Sequence, residues 1–141
     1  MRLIFIILSI FLSVNANAAE LKSKDDIRNF TQSVMAQVAK GKMQEGLKLM
    51  KPYLIIPESE FNVMAEHLKM QEPAMKQRFG NTIGVEFVKE EEVGNSLLRI
   101  IYIQKFEKHI MRWRFYFYKP RDSWVLNTFF SDDKLQLMFI D

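Results

Sequence analysis

The chain offers few side chains that could carry nucleophilic, acid–base or metal chemistry. It contains no cysteine and only two histidines, His67 and His109. Thiol catalysis and cysteine-based zinc sites are therefore excluded. Neither histidine has a second histidine four residues away, the spacing of a helical zinc pair. We therefore expect no metal site and no cofactor.

His67 is the best single candidate for acid–base chemistry. It lies on a predicted helix at the border of the apolar stripe, where it could reach a pocket mouth and act as a general base. The alternative is a boundary histidine that hydrogen-bonds solvent, which we also expect for His109 in a predicted turn. Glu86 and Arg99 are the strand residues that could place a charge inside the fold, and the pattern leaves their faces open. No Ser-His-Asp grouping, phosphate loop or paired-carboxylate motif is present.

The stretch "MRWRFYFYKPRDSWVLNTFF" combines eight aromatic residues with three arginines. Pairing of Lys119 with Ser123 would make it a β-hairpin with two different faces. The first face is nearly all apolar and is expected to meet the helices; it carries Met111, Trp113, Phe115, Phe117, Val125, Asn127 and Phe129. The second face mixes arginine with aromatic residues; it carries Arg112, Arg114, Tyr116, Tyr118, Trp124, Leu126, Thr128 and Phe130.

Three interpretations of the second face are open. Alternating basic and aromatic residues could stack nucleic-acid bases, but the formal net charge is only +3 and lacks a basic footprint. We therefore expect no nucleic-acid partner. Arginine and tyrosine are enriched in protein interfaces, so the preferred interpretation is a homodimer face formed by Arg112, Arg114, Tyr116, Tyr118 and Trp124. The alternative is a solvated sheet whose arginine stems cover the aromatic rings.

The first half of the chain has helical periodicity. Ser23 and Asp26 form a capping-box pattern before an apolar stripe that ends near Gly41. A shorter helix follows and ends at Pro52. A third helix is predicted from about Glu58 to Phe79, with a kink at Pro73.

The second half changes to strand periodicity. Four β-rich runs are separated by short turns, which predicts an antiparallel meander. The tail "DDKLQLMFID" would form one helical turn or a fifth strand. Helices followed by strands predict an α+β domain in which three N-terminal helices pack on a curved, four-stranded sheet.

The N-terminal segment "MRLIFIILSIFLSVNANAAE" has the order of a secretory signal peptide: a positive residue, an apolar run and a small-x-small cleavage site. We predict a signal peptide at 1–18 and a single domain at 19–141, exported to the periplasm or secreted, with no membrane association after cleavage. A retained N-terminal anchor is the alternative, although the apolar run is shorter than the roughly 20 residues that span a bilayer.

The helix ending "RFG" and the following "IGVEFVKEEEVGNSLLRIIYIQKFEKHIMRWRFYFYKPRDSWVLNTFFSDD" resemble the NTF2-like, cystatin-like superfamily, in particular its small exported bacterial members. The resemblance implies a cone of helices over a sheet, often with a pocket and with dimerisation through the outer face. It also implies a function as a binding or assembly module, because most such members are not enzymes. The alternative is an isomerase- or dehydratase-like enzyme acting on a small apolar substrate through His67 or a strand carboxylate.

For the module, we predict a protein partner or a small apolar ligand. The predicted apolar pocket lies inside the cone and is lined by Met64, Leu68, Trp113 and Phe115. Nine methionines and twelve phenylalanines favour a cone that is filled by side chains.

Overall fold

The computed structural model describes residues 20–140, so the predicted signal peptide at 1–18 lies outside the described residues. The chain forms three helices and then four strands: α1 Lys24–Ala39, α2 Met43–Met50, α3 Glu58–Phe79, β1 Thr82–Val93, β2 Leu97–Phe106, β3 Ile110–Tyr118 and β4 Val125–Asp132. This confirms the α+β class with a four-stranded antiparallel sheet. The tail forms a 3₁₀ helix at Leu135–Phe139 and not a fifth strand. None of the helices within residues 20–140 has the length and apolarity needed to cross a membrane.

The start of α1 is fixed by the predicted capping box. The backbone N–H of Asp26 donates to Ser23 Oγ at 3.0 Å, and the backbone N–H of Ser23 donates to Asp26 Oδ2 at 2.9 Å. These bonds satisfy two helix-end donors that would otherwise lack partners. Helix α2 packs closely on α1, because a Cβ at Gly46 would lie 3.1 Å from the carbonyl oxygen of Val34.

Helix α3 is attached mainly near its two ends. Its fully buried residues are Phe61 and Phe79, while Met64, Leu68 and Met75 pack against the core but stay partly exposed. The helix continues through Pro73 from Glu58 to Phe79. It ends at Gly80, whose φ of 85° favours glycine.

The sheet is a meander in the order β1-β2-β3-β4, and every pair is antiparallel. Three residues break its register as bulges: Ile83 and Val88 in β1, and Asn127 in β4. Two isolated β-bridges lie at the start of β4: Leu21 pairs with Trp124, and Leu54 pairs with Leu126.

The core lies on the inner face of the sheet, which we define as the face that contacts α1. Phe30 of α1 meets Phe117 of β3 edge-on, with ring centroids 6.2 Å apart. The rings of Trp113 and Phe129 stack nearly parallel, 6.2 Å apart with 6° between their planes. Phe115 stacks on both of these rings. The aromatic hairpin is therefore core on one side, as predicted.

The predicted faces of β4 are wrong on the N-terminal side of a bulge at Asn127. Tyr116 pairs with Thr128, but Phe117 pairs with Leu126, so Asn127 is skipped and the alternation shifts by one residue. Trp124 and Leu126 were predicted on the second face with the arginines. Both belong instead to the buried core, with 5% and 0% exposure.

Candidate functional site

The outer face of the sheet, opposite α1, carries a buried ion pair at one end of the β3–β4 ladder. Arg112 Nε and Nη2 donate to the two carboxylate oxygens of Asp132, each at 2.8 Å, and Arg114 Nη2 donates to Asp132 Oδ2 at 2.7 Å. Arg112 is 1% exposed. It was predicted to line a dimer face, and its burial removes it from any accessible surface.

The chain itself covers this part of the outer face. Ile101, which pairs with Arg114, is also 1% exposed. The 3₁₀ helix Leu135–Phe139 contacts β3, and its apolar side chains do not belong to the inner core of the described chain. Arg112 and Ile101 are therefore covered by other residues of this chain.

Asp132 is held in its charged form. Its burial alone would raise its pKa, but the hydrogen bonds from Arg112 and from the backbone of Lys134, with the charges of both arginines, outweigh that effect. The pKa of Asp132 therefore lies below its ordinary value.

The other end of the outer face is open and forms a concavity of about 580 Å³, which we call the outer groove. Its apolar lining is exposed to solvent: Val93 68%, Leu97 47%, Tyr118 42% and Phe130 53%. Phe130 also lies under the guanidinium of Arg114, 5.6 Å from ring centroid to Cζ. Exposed apolar residues that share one concavity typically mark an interaction site.

Arg99 and Glu91 form an ion-paired cluster inside the outer groove, joined by Lys89. Arg99 Nε donates to Glu91 Oε2 at 2.6 Å, and Lys89 Nζ lies 3.0 Å from Glu91 Oε1. Burial would lower the pKa of Arg99, but hydrogen bonds with Tyr116 and Glu91 raise it above its ordinary value. Among the contacts that lower the pKa of Glu91, the hydrogen bond from Lys89 has the largest effect. The groove therefore presents fixed, paired charges within an apolar rim.

A second concavity, the inner cavity, lies on the inner face at the opposite end of β2. It has a volume of about 540 Å³ and is bounded by the α1–α2 connection, the second half of α3, and the paired ends of β1 and β2. Gln104 of β2 lines it and is 2% exposed. Gln104 Nε2 donates to Thr82 Oγ1 at 2.9 Å, and its Oε1 accepts from Trp113 Nε1 at 3.0 Å.

The structure places the catalytic candidate outside both concavities. His67 is exposed on α3, and its Nε2 lies 2.9 Å from Gln71 Nε2. Glu86 and Arg99 both lie on the outer face, opposite Ile103 and Glu91. Within residues 20–140, no group of three or more histidine, aspartate or glutamate side chains is arranged to hold a metal ion.

The inner carboxylates of β1 are engaged by α1. Arg28 Nε and Nη2 donate to the two carboxylate oxygens of Glu90 at 2.8 and 2.9 Å, and Lys24 pairs with Glu92. The hydrogen bonds from Arg28 lower the pKa of Glu90 in spite of its partial burial. These groups hold α1 against the sheet.

The residues predicted to line an apolar pocket belong to the hydrophobic core or pack against it, and they line neither concavity. Trp113 and Phe115 are 0% exposed within the core, and Met64 and Leu68 pack against it. Of the predicted dimer face, Arg114 and Tyr116 are half-buried and Tyr118 is exposed, whereas Arg112 and Trp124 are buried.

The sequence did contain a signal for the inner cavity. In β2 the inner positions are Leu98, Ile100, Tyr102, Gln104 and Phe106, and the glutamine interrupts this otherwise apolar or aromatic series. A buried amide must find hydrogen-bond partners. That requirement points to a polar site on the inner face of the sheet.

In comparison with known proteins, no family model, no curated protein and no solved structure matches this chain. The resemblance to the NTF2-like superfamily therefore stays a prediction that rests on element order and strand spacing.

Proposed function

We propose that the chain is an exported, non-catalytic binding or assembly module of the NTF2-like type, which forms a homodimer through the outer groove. One observation carries the proposal: Val93, Leu97, Tyr118 and Phe130 expose apolar surface around a concavity whose charged groups are already paired. Burying this surface would remove apolar area from water without leaving a buried charge unpaired.

The charge distribution favours a second copy of this chain as the occupant. Arg99 is matched within the groove by Glu91, and Glu92 is matched by Lys24. A two-fold interface brings the same patch of each subunit together, and pairing of the charges within each patch limits like-charge repulsion. A strongly acidic or basic partner would find no complementary field there.

The export part of the proposal rests on the order of the first 18 residues, and the family part rests on the succession of three helices and a four-stranded meander. The enzyme alternative would require a general base inside a cavity. His67 lies outside both concavities, and Glu90 and Glu92 are bound to α1. The carboxylates that do line a concavity are engaged as well: Glu91 pairs with Arg99, and Glu72 accepts a hydrogen bond from Gln44. The binding module therefore has the stronger support.

Sedimentation equilibrium on the protein purified from its host tests the dimer. We expect a dimer at micromolar concentration, and a folded monomer for Tyr118→Glu and Phe130→Glu. Val63→Glu and Met70→Glu are matched controls, because these exposed α3 residues lie outside the outer groove, and we expect them to stay dimeric. A monomeric unmodified protein would refute the proposal, as would groove and control variants that behave alike.

A further inference from the structure

The inner cavity has a polar floor whose hydrogen-bond directions are fixed. An indole N–H can only donate, so the 3.0 Å bond from Trp113 Nε1 requires the oxygen of Gln104 to face Trp113. The amide nitrogen must then face Thr82, whose hydroxyl oxygen accepts from it at 2.9 Å. The orientation of the Gln104 side chain is therefore determined by its neighbours.

This arrangement leaves hydrogens that can be donated. A glutamine amide has two N–H donors and a threonine hydroxyl has one. The described bonds use one N–H of Gln104 and use the Thr82 hydroxyl as an acceptor. One amide hydrogen and the hydroxyl hydrogen are thus free to bind an acceptor in the cavity, so the floor suits a carboxylate or carbonyl oxygen.

The charges around the cavity favour an anion. Lys40 and Lys76 both line it, and neither forms an ion pair with another residue of the 20–140 range. Glu72 also lines the cavity and accepts a hydrogen bond from Gln44 Nε2 at 2.7 Å. Two lysines and one glutamate leave a local excess of one positive charge.

The remaining lining is apolar. Met43, Met75 and Phe106 bound the cavity from α2, α3 and β2. Its volume of about 540 Å³ falls in the usual range of small-molecule sites, roughly 300–1,000 Å³. Methionine side chains adapt readily to a flexible ligand.

We propose that the inner cavity binds a small amphipathic monocarboxylate, with a carboxylate head and an aliphatic body. The head accepts hydrogen bonds from the Thr82 hydroxyl and the Gln104 amide, Lys40 and Lys76 supply the compensating charge, and the body contacts Met43, Met75 and Phe106. This site lies on the opposite face of the sheet from the outer groove. The ligand proposal can therefore be tested independently of the dimer proposal.

The probe for this site is octanoate, titrated calorimetrically into the protein purified from its host. Octan-1-ol serves as the comparator, because it has the same chain length without the carboxylate. We expect saturable binding of one octanoate per chain, at least about tenfold tighter than octanol, since a hydrogen bond to a charged group is among the stronger polar contacts. Equal affinity for the two probes, or no octanoate binding, would overturn the proposal.

Two sets of variants locate the binding site. Thr82→Val removes the hydroxyl and keeps the side-chain shape, and we expect it to weaken octanoate binding about tenfold. Ser59→Ala removes an exposed α3 hydroxyl that lies outside both concavities; it is the control and should bind as the unmodified protein does. Combined Lys40→Gln and Lys76→Gln should weaken binding severalfold and reduce its salt dependence, unlike Lys48→Gln on exposed α2 surface. If control and cavity variants lose affinity equally, octanoate binds elsewhere and the proposal is wrong.

Discussion

Arg112 and Asp132 face each other directly across β3 and β4, joined by two hydrogen bonds of 2.8 Å on the outer side of the sheet. Arg112 is almost fully buried, whereas the Asp132 side chain is 21% exposed. The pair joins β3 to β4 at one end of their ladder. An arginine buried to this degree depends on its carboxylate partner.

Replacing Asp132 with asparagine should destabilise the fold, because it removes the anion that faces the buried Arg112 charge. We expect a loss of about 3 kcal/mol in the free energy of unfolding, the lower range for breaking a buried ion pair. Urea denaturation measures it. Asp133→Asn is the control, since that neighbouring side chain is exposed and should change stability by less than about 0.5 kcal/mol. Equal effects would show that the ion pair contributes nothing specific.

The contribution of Asp132 should also depend on pH. Its pKa is lower in the folded chain than the ordinary aspartate value of about 3.9. The stabilisation is therefore complete above that value and is lost as the pH falls through the lower pKa of the folded state. Urea denaturation at a series of pH values should show the gap between the unmodified protein and Asp132→Asn closing only on acidification below about pH 4. A gap that widens there would contradict this account.

Phe115 is the centre of the aromatic stack, in contact with Trp113, Phe129 and the edge of Tyr102. Phe115→Ala should lower the free energy of unfolding by about 3–5 kcal/mol, because it leaves a cavity in a fully buried site. Phe139→Ala provides a control of the same chemistry at 84% exposure. Thermal and urea denaturation should separate the two variants clearly, and a near-neutral Phe115→Ala would place this face in solvent.

Trp124 gives a direct test of the bulge at Asn127. With simple alternation, Trp124→Glu would alter the outer face and leave a folded chain. In the observed register Trp124 is buried against the core and bridged to Leu21. We therefore expect Trp124→Glu to lose about 3 kcal/mol or more, since it removes a large apolar side chain and buries a carboxylate. Circular dichroism and urea denaturation measure this; a stable Trp124→Glu protein would restore the simple register.

The sequence predicted the elements far better than their faces. The capping box at Ser23 and the glycine at Gly80 are local signals, and they located the start of α1 and the end of α3 correctly. The face of Trp124 depends on one extra residue in β4 that local propensity does not specify. Asn127 interrupts an apolar run, but a polar residue within a strand is as compatible with an outward side chain as with a bulge.

The burial of Arg112 could not be predicted from the sequence pattern, for a related reason. An arginine between Met111 and Trp113 in a half-apolar strand suggests an accessible surface, yet Arg112 is 1% exposed because residues distant in sequence cover it. The inner cavity likewise forms from segments that are distant in sequence: the α1–α2 connection, α3 and the β1–β2 pair. Periodicity describes each segment alone and carries no information about the space between them.

The positions of the bulges and bridges determine where a strand of another chain could pair with an edge of this sheet. An open strand edge is a template for intermolecular β-pairing and fibril formation. On β1, Ile83 and Val88 interrupt the ladder twice, so an added strand would have to change register at both points. On β4, Leu21 and Leu54 already bridge to Trp124 and Leu126. Extension of the sheet from chain to chain is therefore hindered at these positions, and the proposed dimer uses side-chain contacts on a face of the sheet instead.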